Sequence, residues 1–351
     1  MNGQTRRQFL KAAAAGVLGS GVAALGAHRL LHAQAAAPRL LDIHHHFVSP
    51  AFLQFLTERN AKTPVPGLAA WKDYSPARAV ETLDRVGIQT AMLSITAPGV
   101  WFGDASQAGR WAREMNEYAA ARLVGDHKGR FGLFAVLPLP DVAGSLREIE
   151  YAFDTLKADG VGVLTSYGPA FLGDTSFAPV LAELNRRKAV VYTHPTDAQC
   201  CMNLVPGVAN QMLEYPTDTT RTIVSLIVSE AATKCPDIRF IFSHAGGTIT
   251  AIAGRVLGQG APPDAFARPA EPNSRLHHLR RFYYDTAGSA NPVAMSALKA
   301  LVPVSQILFG TDAPFFDGAP QVRGLQASGF TASELTEVER TNALRLLGRK
   351  I

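Results

Sequence analysis

The segment Leu40-Leu41-Asp42-Ile43-His44-His45-His46 begins as a short apolar run and ends in three consecutive histidines. A short apolar run of this kind is typical of a buried parallel strand. Successive side chains of a strand point to opposite faces, so His44 and His46 share one face and His45 points elsewhere. Two imidazoles on one face can converge on one metal ion. The segment therefore predicts a buried strand with a metal-binding pair at its carboxyl end.

Seven similar apolar runs follow this segment, and longer segments with helical periodicity separate them. Such an alternation is typical of βα units with a parallel sheet. The predicted strands are residues 40–44, 91–95, 131–136, 161–164, 190–193, 239–243, 282–284 and 307–309. The predicted helices are residues 76–86, 107–123, 142–157, 177–186, 219–234, 248–257, 292–301 and 332–347.

Eight strands and eight helices predict an α/β protein with a single domain, a (β/α)8 barrel of the TIM type. The alternative is a doubly wound open sheet, but no predicted strand leads into the G-x-G-x-x-G turn of a dinucleotide-binding sheet. The longest break in the pattern, residues 258–281, is rich in proline, glycine and charge. We predict a surface loop or lid there.

The composition is that of a globular protein. Of the 351 residues, 47% are hydrophobic and 18% are charged, which excludes a disordered chain and a coiled coil. The formal net charge is +5, but four of the 34 basic residues lie in the first 35 positions, where no acidic residue occurs. The rest of the chain is therefore close to neutral, and the sequence predicts no nucleic-acid partner.

The first 35 residues have the features of a targeting signal. Residues 5–11, Thr-Arg-Arg-Gln-Phe-Leu-Lys, resemble the twin-arginine export consensus, and an uncharged stretch from 12 to 27 follows. That stretch is too short and too weakly apolar for a good membrane span, and residues 33–35, Ala-Gln-Ala, suit a signal peptidase. We expect a twin-arginine signal peptide at 1–35 and a mature domain at 36–351 with no stable membrane span. The expected location is periplasmic or secreted, and the alternative is an uncleaved N-terminal tether.

Three cysteines are present, and two of them are adjacent. Neighbouring cysteines form a bridge only through a strained ring, so Cys200, Cys201 and Cys235 are predicted to be packing residues. The alternative is a bridge from Cys200 or Cys201 to Cys235.

Further titratable residues lie near the ends of predicted strands. His194, His244 and Asp312 each come within three residues of such an end. Catalytic groups of a barrel project from the carboxyl ends of its strands, so these side chains should meet His44 and His46. The sequence thus predicts a metal or acid-base cluster. The other histidines lie in polar contexts and are predicted to be solvated surface residues: His127, His277 and His278.

This constellation resembles the amidohydrolase superfamily, in particular its aminocarboxymuconate-semialdehyde decarboxylase-like branch, amidohydrolase family 2. The resemblance covers nearly the whole chain after residue 38. The matching motifs are H-x-H at 44–46, His194, S-H-x-G-G at 243–247, G-T-D-x-P-F at 310–315 and N-A-L-R-L-L-G at 342–348. Within the branch, four short segments look most similar to 6-methylsalicylate decarboxylase-type proteins. They are residues 93–99, 137–141, 193–196 and 284–288.

The resemblance implies one divalent metal held by four residues, with His244 as a nearby acid-base group. The implied ligands are His44, His46, His194 and Asp312. Three imidazoles and one carboxylate suit Zn²⁺ and leave one position for water or substrate, with Mn²⁺ or Mg²⁺ as alternatives. Many binuclear relatives carry a bridging lysine at the end of the fourth strand. Threonine and serine follow residues 161–164 here, so the site is predicted to be mononuclear.

The resemblance also implies an enzyme, a metal-dependent carboxy-lyase. Its substrate would be a small aromatic or unsaturated carboxylic acid, such as a 2-hydroxybenzoate, and the reaction would be non-oxidative. In the salicylate-type route, Asp312 delivers the proton to the ring carbon that loses the carboxylate; in the semialdehyde-type route, His244 deprotonates a water molecule. His244 and Asp312 are therefore the predicted catalytic residues.

Four further residues are predicted to bind the substrate. Arg255 matches an arginine that relatives lend across a dimer interface to a substrate carboxylate, which implies a homodimer or higher homo-oligomer. The alternative for Arg255 is an exposed helix residue. Trp101, Phe102 and Phe315 follow strand ends and could wall an aromatic ring, as could Phe316, although such residues also serve in ordinary cores.

Two other functions remain as alternatives. A metal-dependent hydrolase of an amide, ester or lactone would use the same polarising metal and acid-base pair. A non-catalytic periplasmic protein that binds aromatic acids or metal would need no proton-transfer groups, and the presence of His244 and Asp312 argues against it. Release of carbon dioxide distinguishes a decarboxylase from a hydrolase.

Overall fold

The computed structural model describes residues 40–262 and 264–349, and its centre is a sheet of eight parallel strands. These strands pair in the order in which they occur along the chain. They are β1 (Leu40–His46), β2 (Ile88–Ser94), β3 (Phe131–Val136), β4 (Gly160–Leu164), β7 (Val190–His194), β8 (Arg239–Phe242), β9 (Tyr283–Asp285) and β10 (Ile307–Leu308). Two further strands form a small antiparallel hairpin, β5 (Ser166–Tyr167) and β6 (Ala170–Phe171).

The first and last strands of the sheet meet and close it. The Ile43 amide donates to the Phe309 carbonyl at 2.9 Å, and the His46 amide donates to the Ala313 carbonyl at 2.8 Å. A sequential parallel sheet that closes in this way is a barrel. The predicted (β/α)8 barrel is therefore confirmed, and the open-sheet alternative is wrong.

Helices alternate with the strands. The α-helices of the described residues are α1 (Pro50–Asn60), α2 (Pro76–Val86), α3 (Ala105–Tyr118), α4 (Val142–Asp154), α5 (Ala178–Arg186), α6 (Asn210–Val228), α7 (Ala231–Lys234), α8 (Ile249–Leu257), α9 (Arg275–Arg281), α10 (Pro292–Leu301), α11 (Gly318–Gln326), α12 (Ala332–Thr336) and α13 (Asn342–Leu347). A π-helical segment, Ala119–Gly125, continues α3, and another, Glu337–Thr341, joins α12 to α13.

Local signals set the helix ends where the prediction was accurate. In α2 the Ser75 side chain accepts a hydrogen bond from the Arg78 amide, and Pro76 occupies the first turn. Gly87 ends the helix in the left-handed conformation, with φ of 83°. These capping residues explain why the predicted bounds 76–86 agree with the structure.

Two helices differ from their predictions. The helix predicted at 219–234 is two helices, because α6 runs from Asn210 to Val228 and α7 follows it. Proline normally discourages a helix, and Pro216 inside α6 explains why the prediction began too late. The predicted loop or lid at 258–281 is partly wrong, because its last quarter is α9. Because that segment is rich in charge, the sequence analysis overlooked two buried leucines spaced three apart, Leu276 and Leu279. The sequence analysis also did not predict α1, α11 or the β5–β6 hairpin.

Two predictions about single residues need correction. His278 is buried on α9, where its Nε2 atom lies 2.9 Å from Thr233 Oγ1, so it is not a solvated residue. Cys200 and Cys201 form a disulfide with each other, in a turn where the Cys201 amide donates to the Ala198 carbonyl. Cys235 is a buried free cysteine, as a packing residue should be.

The C-terminal segment covers one end of the barrel. Arg239, the first residue of β8, donates to the Leu346 carbonyl of α13, and Arg349 pairs with Asp159, which directly precedes β4. These contacts lie at the amino ends of the strands. The carboxyl ends, where β1 and β7 terminate in histidine, are therefore left for a site at the opposite end.

The predicted signal peptide and its cleavage site lie outside the described residues. Among the residues described, no helix has the length and apolar character needed to cross a membrane.

Candidate metal centre and cavity

Four side chains from three parts of the barrel converge at the carboxyl ends of the strands. His44 and His46 share a face of β1, His194 ends β7, and Asp312 follows β10 with φ of 63°, in the left-handed region. All four are buried, and one potential ligand atom from each lies within 4.8 Å of the others. The structure thus brings together the four predicted ligands in a site able to hold a divalent metal.

The contacts between these side chains fit a cation. His44 Nε2 lies 3.0 Å from His46 Nε2, and Asp312 Oδ1 lies 3.3 Å and 3.1 Å from the two nitrogens. Asp312 Oδ1 is buried and makes no hydrogen bond. Atoms with lone pairs that face one point, one of them an unpartnered carboxylate oxygen, are the arrangement that a metal ion needs.

Each of the three imidazoles uses its Nδ1 atom for a contact with an oxygen. The pairs are His44 with Asp285 Oδ2 at 2.9 Å, His46 with the Ser94 carbonyl at 3.2 Å, and His194 with the Pro195 carbonyl at 2.8 Å. A proton on each Nδ1 leaves the Nε2 lone pair available to a metal. The ring orientations therefore agree with the proposed ligand set.

His45 points away from this centre, as strand alternation predicts. Its Nδ1 atom lies 3.2 Å from Asp42 Oδ2, and its ring packs near Phe131. Asp42 also accepts from Thr311 Oγ1 at 2.6 Å. His45 thus belongs to the contacts that join β1 to the last strand.

The electrostatics of the cluster favour a positive charge between its members. Burial, the largest influence on His44, lowers its pKa, but Asp285 and Asp312 outweigh it and raise the pKa to about 10. Burial alone would raise the pKa of Asp312, yet His44 and His46 hold it well below its ordinary value. Burial lowers the pKa of His46 and of His194, which keeps both rings neutral. A proton on His44 or a metal ion can supply the charge.

His244 lies beside the ligands on an unusual turn. Four consecutive residues from His244 to Gly247 have positive φ, between 55° and 75°. Gly247 must be glycine there, because a Cβ would lie 1.9 Å from the Pro216 carbonyl oxygen. His244 Nδ1 contacts the Ala287 carbonyl at 2.9 Å, and Nε2 lies 3.8 Å from Asp312 Oδ2. The turn thus aims Nε2 at the metal ligands.

A cavity of about 580 Å³ opens above the cluster. Its walls are largely apolar, and among the described residues that line it there is no arginine or lysine. The lining residues are Pro66, Gly67, Thr96, Ala97, His194, Gln211, Met212, Tyr215, Pro216, His244, Gly247, Gly288, Ser289, Asp312, Phe315 and Phe316. The volume is that of a small-molecule site.

The structure brings only some of the predicted substrate residues to this cavity. Phe315 lines it, together with Phe316. Trp101 lines a separate cavity of about 130 Å³, and Phe102 packs against the guanidinium of Arg59, so these two do not form the wall. Arg255 is exposed on α8 and does not line the cavity.

The sequence analysis missed one buried acid beside the site. Asp285 contacts His44, and it ends β9 directly after the predicted strand 282–284. The rule used for the other strand ends, applied to this strand, would have found it. Tyr192 and Tyr215 were also missed, because nothing in a strand or helix pattern separates them from core tyrosines.

Comparisons with known proteins agree with this geometry. Residues 41–349 match the protein family described as amidohydrolase. A 6-methylsalicylic acid decarboxylase from Penicillium expansum is 38% identical over 312 residues, which cover 85% of this chain and 91% of that protein. Another, from Aspergillus aculeatus, is 36% identical over 336 residues, which cover 88% of this chain and 96% of that protein.

A solved structure shows the same fold. 5-Carboxyvanillate decarboxylase from Novosphingobium aromaticivorans, complexed with manganese and 4-hydroxy-3-methoxy-5-nitrobenzoic acid, has a TM-score of 0.77 at 19% identity. The match covers 90% of this chain and 97% of that one. The family match spans nearly all of the described residues, and two relatives exceed one-third identity over most of their length. The chain therefore belongs to the amidohydrolase family.

Proposed function

We propose that this protein is a metal-dependent, non-oxidative decarboxylase of a 2-hydroxybenzoate such as 6-methylsalicylate. The observation that carries the proposal is the group of three imidazoles and Asp312, of which His194 and Asp312 line a largely apolar cavity together with His244. The relatives named 6-methylsalicylic acid decarboxylase, which align over most of their length, support this choice of substrate class.

The cavity would bind and orient a single aromatic ring. A divalent cation held by the four ligands would polarise the substrate carboxylate and the neighbouring phenolic oxygen. The rings of Phe315 and Phe316 and the Met212 side chain offer apolar contact to the rest of the substrate. Such walls also keep water from the reacting carbon.

His244 and Asp312 are the groups that would deliver the proton. The electron pair of the breaking carbon–carbon bond stays on the ring carbon, which must then take up one proton as carbon dioxide leaves. His244 Nε2 and Asp312 Oδ2 lie 3.8 Å apart and both residues line the cavity, so the pair can hold one proton and release it to a ring bound beside them.

The deciding experiment measures which bond is broken. Metal-loaded protein incubated with 6-methylsalicylate in heavy water should release carbon dioxide and the matching phenol, with deuterium at the carbon that lost its carboxylate. The same phenol kept in heavy water without enzyme controls for background exchange. Release of an acid or amine from a lactone, ester or amide, with no carbon dioxide from any hydroxybenzoate, would instead identify a hydrolase.

Asp312→Asn tests the proton-transfer role. The amide keeps a coordinating oxygen but cannot donate a carboxylic proton, so part of the metal should remain bound. Turnover should fall by about 10²- to 10⁴-fold if Asp312 takes part in proton delivery. Turnover near that of the original enzyme, measured at equal metal content, would contradict the assignment.

We propose one Zn²⁺ per chain as the native metal. Three imidazoles and one carboxylate are ligands that suit Zn²⁺, and threonine and serine stand after β4, where a bridging lysine would be needed for a second ion. Manganese in a protein of similar fold makes Mn²⁺ the main competitor. Elemental analysis of purified protein should give close to one metal ion per chain, and reconstitution with each metal should identify the one that restores activity.

We infer that the protein works as a homodimer or larger homo-oligomer. The described cavity lining contains no arginine or lysine that could pair with the substrate carboxylate, and Arg255 is exposed on α8. A second copy could supply its Arg255 and cover Met212 and Phe316, two exposed apolar side chains that line the cavity. Four further exposed apolar side chains lie before or directly after Met212 in the chain: Met202, Leu204, Val205 and Leu213.

We propose export by the twin-arginine route to the periplasm or beyond. The paired arginines, the uncharged stretch and the Ala-Gln-Ala site of residues 1–35 support this. Replacement of both Arg6 and Arg7 by lysine should leave the uncleaved precursor in the cytoplasm. Unchanged export of that variant would contradict the proposal.

A further inference from the structure

Asp285 is a buried carboxylate that contacts two different parts of the site. Oδ2 lies 2.9 Å from His44 Nδ1 and accepts from the Tyr192 hydroxyl at 3.3 Å. Oδ1 accepts from the backbone amides of His244 and Ala287, each at 3.0 Å. One side chain at the end of β9 is thus bonded to a metal-ligand imidazole and to the backbone of the acid-base histidine.

We propose that Asp285 is a positioning residue that selects the metal-binding tautomer of His44 with one oxygen and holds the turn of His244 with the other. Its side chain is fully buried and does not line the cavity. Its two oxygens therefore set two separate properties, the affinity for metal and the placement of the proton-transfer group.

The contact with His44 decides which nitrogen of the ring is available. Asp285 Oδ2 can only accept, so His44 carries its proton on Nδ1 and turns the Nε2 lone pair toward His46 and Asp312. The Tyr192 hydroxyl, which is fully buried, donates to the same oxygen and keeps it in place. A group that donates at this position would favour the opposite tautomer, in which Nε2 bears the proton and cannot bind a metal.

The contact with His244 stabilises a backbone conformation that is otherwise unfavourable. His244 and Ala245 are non-glycine residues with φ of 55° and 57°. Such conformations persist only when surrounding contacts hold them. Asp285 Oδ1 fixes the His244 amide, and it also fixes the amide of Ala287, whose carbonyl accepts from His244 Nδ1. The oxygen thus holds both the backbone of His244 and the group that orients its ring.

Two substitutions separate these effects. Asp285→Asn keeps one acceptor oxygen, which the two backbone amides will take, and turns an NH₂ group toward His44 Nδ1. Asp285→Ala removes both contacts. Asp218→Asn is the matched control, because Asp218 is also fully buried but bonds to the side chains of Thr165 and Ser166 and not to the side chain of a metal ligand.

The primary measurement is metal affinity by chelator competition, with ¹⁵N NMR of the metal-free protein to show whether His44 Nδ1 carries a proton. Asp285→Asn should weaken metal binding by about 10- to 100-fold and leave Nδ1 without a proton. Asp218→Asn should retain the original affinity and the proton on Nδ1, even if its thermal midpoint falls. Unchanged metal affinity in a folded Asp285→Asn protein would overturn the first half of the proposal.

The second measurement is kcat at saturating metal, and it rests on the proposed function. At saturating metal, the kcat of Asp285→Asn should lie within about threefold of that of the original enzyme. The kcat of Asp285→Ala should remain about 10- to 100-fold lower, because His244 is displaced. Full recovery of Asp285→Ala with added metal would overturn the second half. The metal and NMR measurements need no turnover, so a failed substrate assignment can be distinguished from a failure of this inference.

Discussion

His44 and His45 are neighbours in the chain and contact opposite sides of β1. One faces His46 and Asp312, and the other faces Asp42. Residue type alone therefore does not decide which histidine binds the metal. The direction of the side chain decides it, and in a strand that direction alternates from one residue to the next.

This alternation predicts different outcomes for three alanine substitutions. His44→Ala and His194→Ala each remove a ligand and should lower metal content and activity together. His45→Ala removes a contact with Asp42, so it should lower the thermal midpoint but keep the metal. Elemental analysis of the three purified variants checks this, and equal loss of metal in all three would contradict the ligand set.

At the scale of elements, the site depends on short turns that follow the strands. The turn from His244 to Gly247 joins β8 to α8 with four residues of positive φ, and Asp312 follows β10 in the same conformation. Such turns bend the chain sharply just where a strand ends. They let a side chain project over the barrel end instead of continuing along the strand.

Gly247→Ala should disturb the turn of His244. A Cβ at this position meets the Pro216 carbonyl of α6, and φ is already 67°, so we expect a loss of about 1–3 kcal/mol in the free energy of unfolding together with lower kcat. Gly254→Ala in α8 is the control, because a Cβ there has no atom within 4 Å and alanine favours helix. Urea unfolding of both variants tests the difference. Similar free energies of unfolding for the two variants would contradict the prediction and show that α6 shifts to accommodate the added methyl group.

The packing of α9 against α7 predicts a pH dependence of stability. Burial, followed by the nearby Arg281 and His277, lowers the pKa of His278 from 6.5 to about 4. Arg281 Nε donates to His278 Nδ1, and Thr233 Oγ1 lies near Nε2, so the neutral ring fits its surroundings. Between pH 6.5 and 4 the unfolded chain binds a proton here that the folded protein does not. The free energy of unfolding should therefore decrease on acidification through this window.

His278→Gln tests this dependence. Glutamine offers an NH₂ group as donor and a carbonyl oxygen as acceptor but does not titrate, so urea unfolding from pH 7 to 4 should show a shallower loss of stability than in the original protein. An equal slope in the two proteins would assign the effect to other groups.

At the scale of the whole molecule, the two ends of the barrel have different tasks. The C-terminal segment covers the amino ends of the strands through Arg349 with Asp159 and Arg239 with Leu346. The carboxyl ends carry the metal ligands and the cavity. Stability and chemistry are thus placed at opposite ends, as is usual for this barrel.

The described residues of the cavity lining include no arginine or lysine, which leads to a prediction about assembly. If the partner subunit supplies Arg255, Arg255→Ala should raise KM and leave metal content unchanged. Arg78→Ala is the control, because it removes another exposed arginine far from α8 in sequence. It should change neither KM nor metal content.

Mixed dimers provide the sharper test of that assembly. A subunit with Arg255→Ala keeps its own His44, and a partner with His44→Ala keeps its Arg255, so co-expression of the two variants should restore about a quarter of the active sites. If sedimentation shows dimers but the activity does not exceed that of either variant alone, Arg255 is an ordinary surface residue with no role in the partner's site.

The sequence by itself determined the features that depend on local pattern. Short apolar runs determined the eight barrel strands, and the capping residues Ser75 and Gly87 determined both ends of α2 to the residue. The H-x-H spacing determined that His44 and His46 share a face, because side-chain direction in a strand repeats every two residues. The position of His194 at a strand end followed in the same way.

Tertiary structure alone decided the contacts between residues far apart in the chain. Asp285 and His44 are separated by 241 residues, and no periodicity in the sequence records their pairing. Trp101 and Phe102 follow a strand end as Phe315 does, yet only Phe315 lines the cavity. Burial of His278 likewise depends on α9 packing against α7. The physical reason is that local propensity sets where strands and helices form, whereas barrel closure and loop packing set which side chains meet.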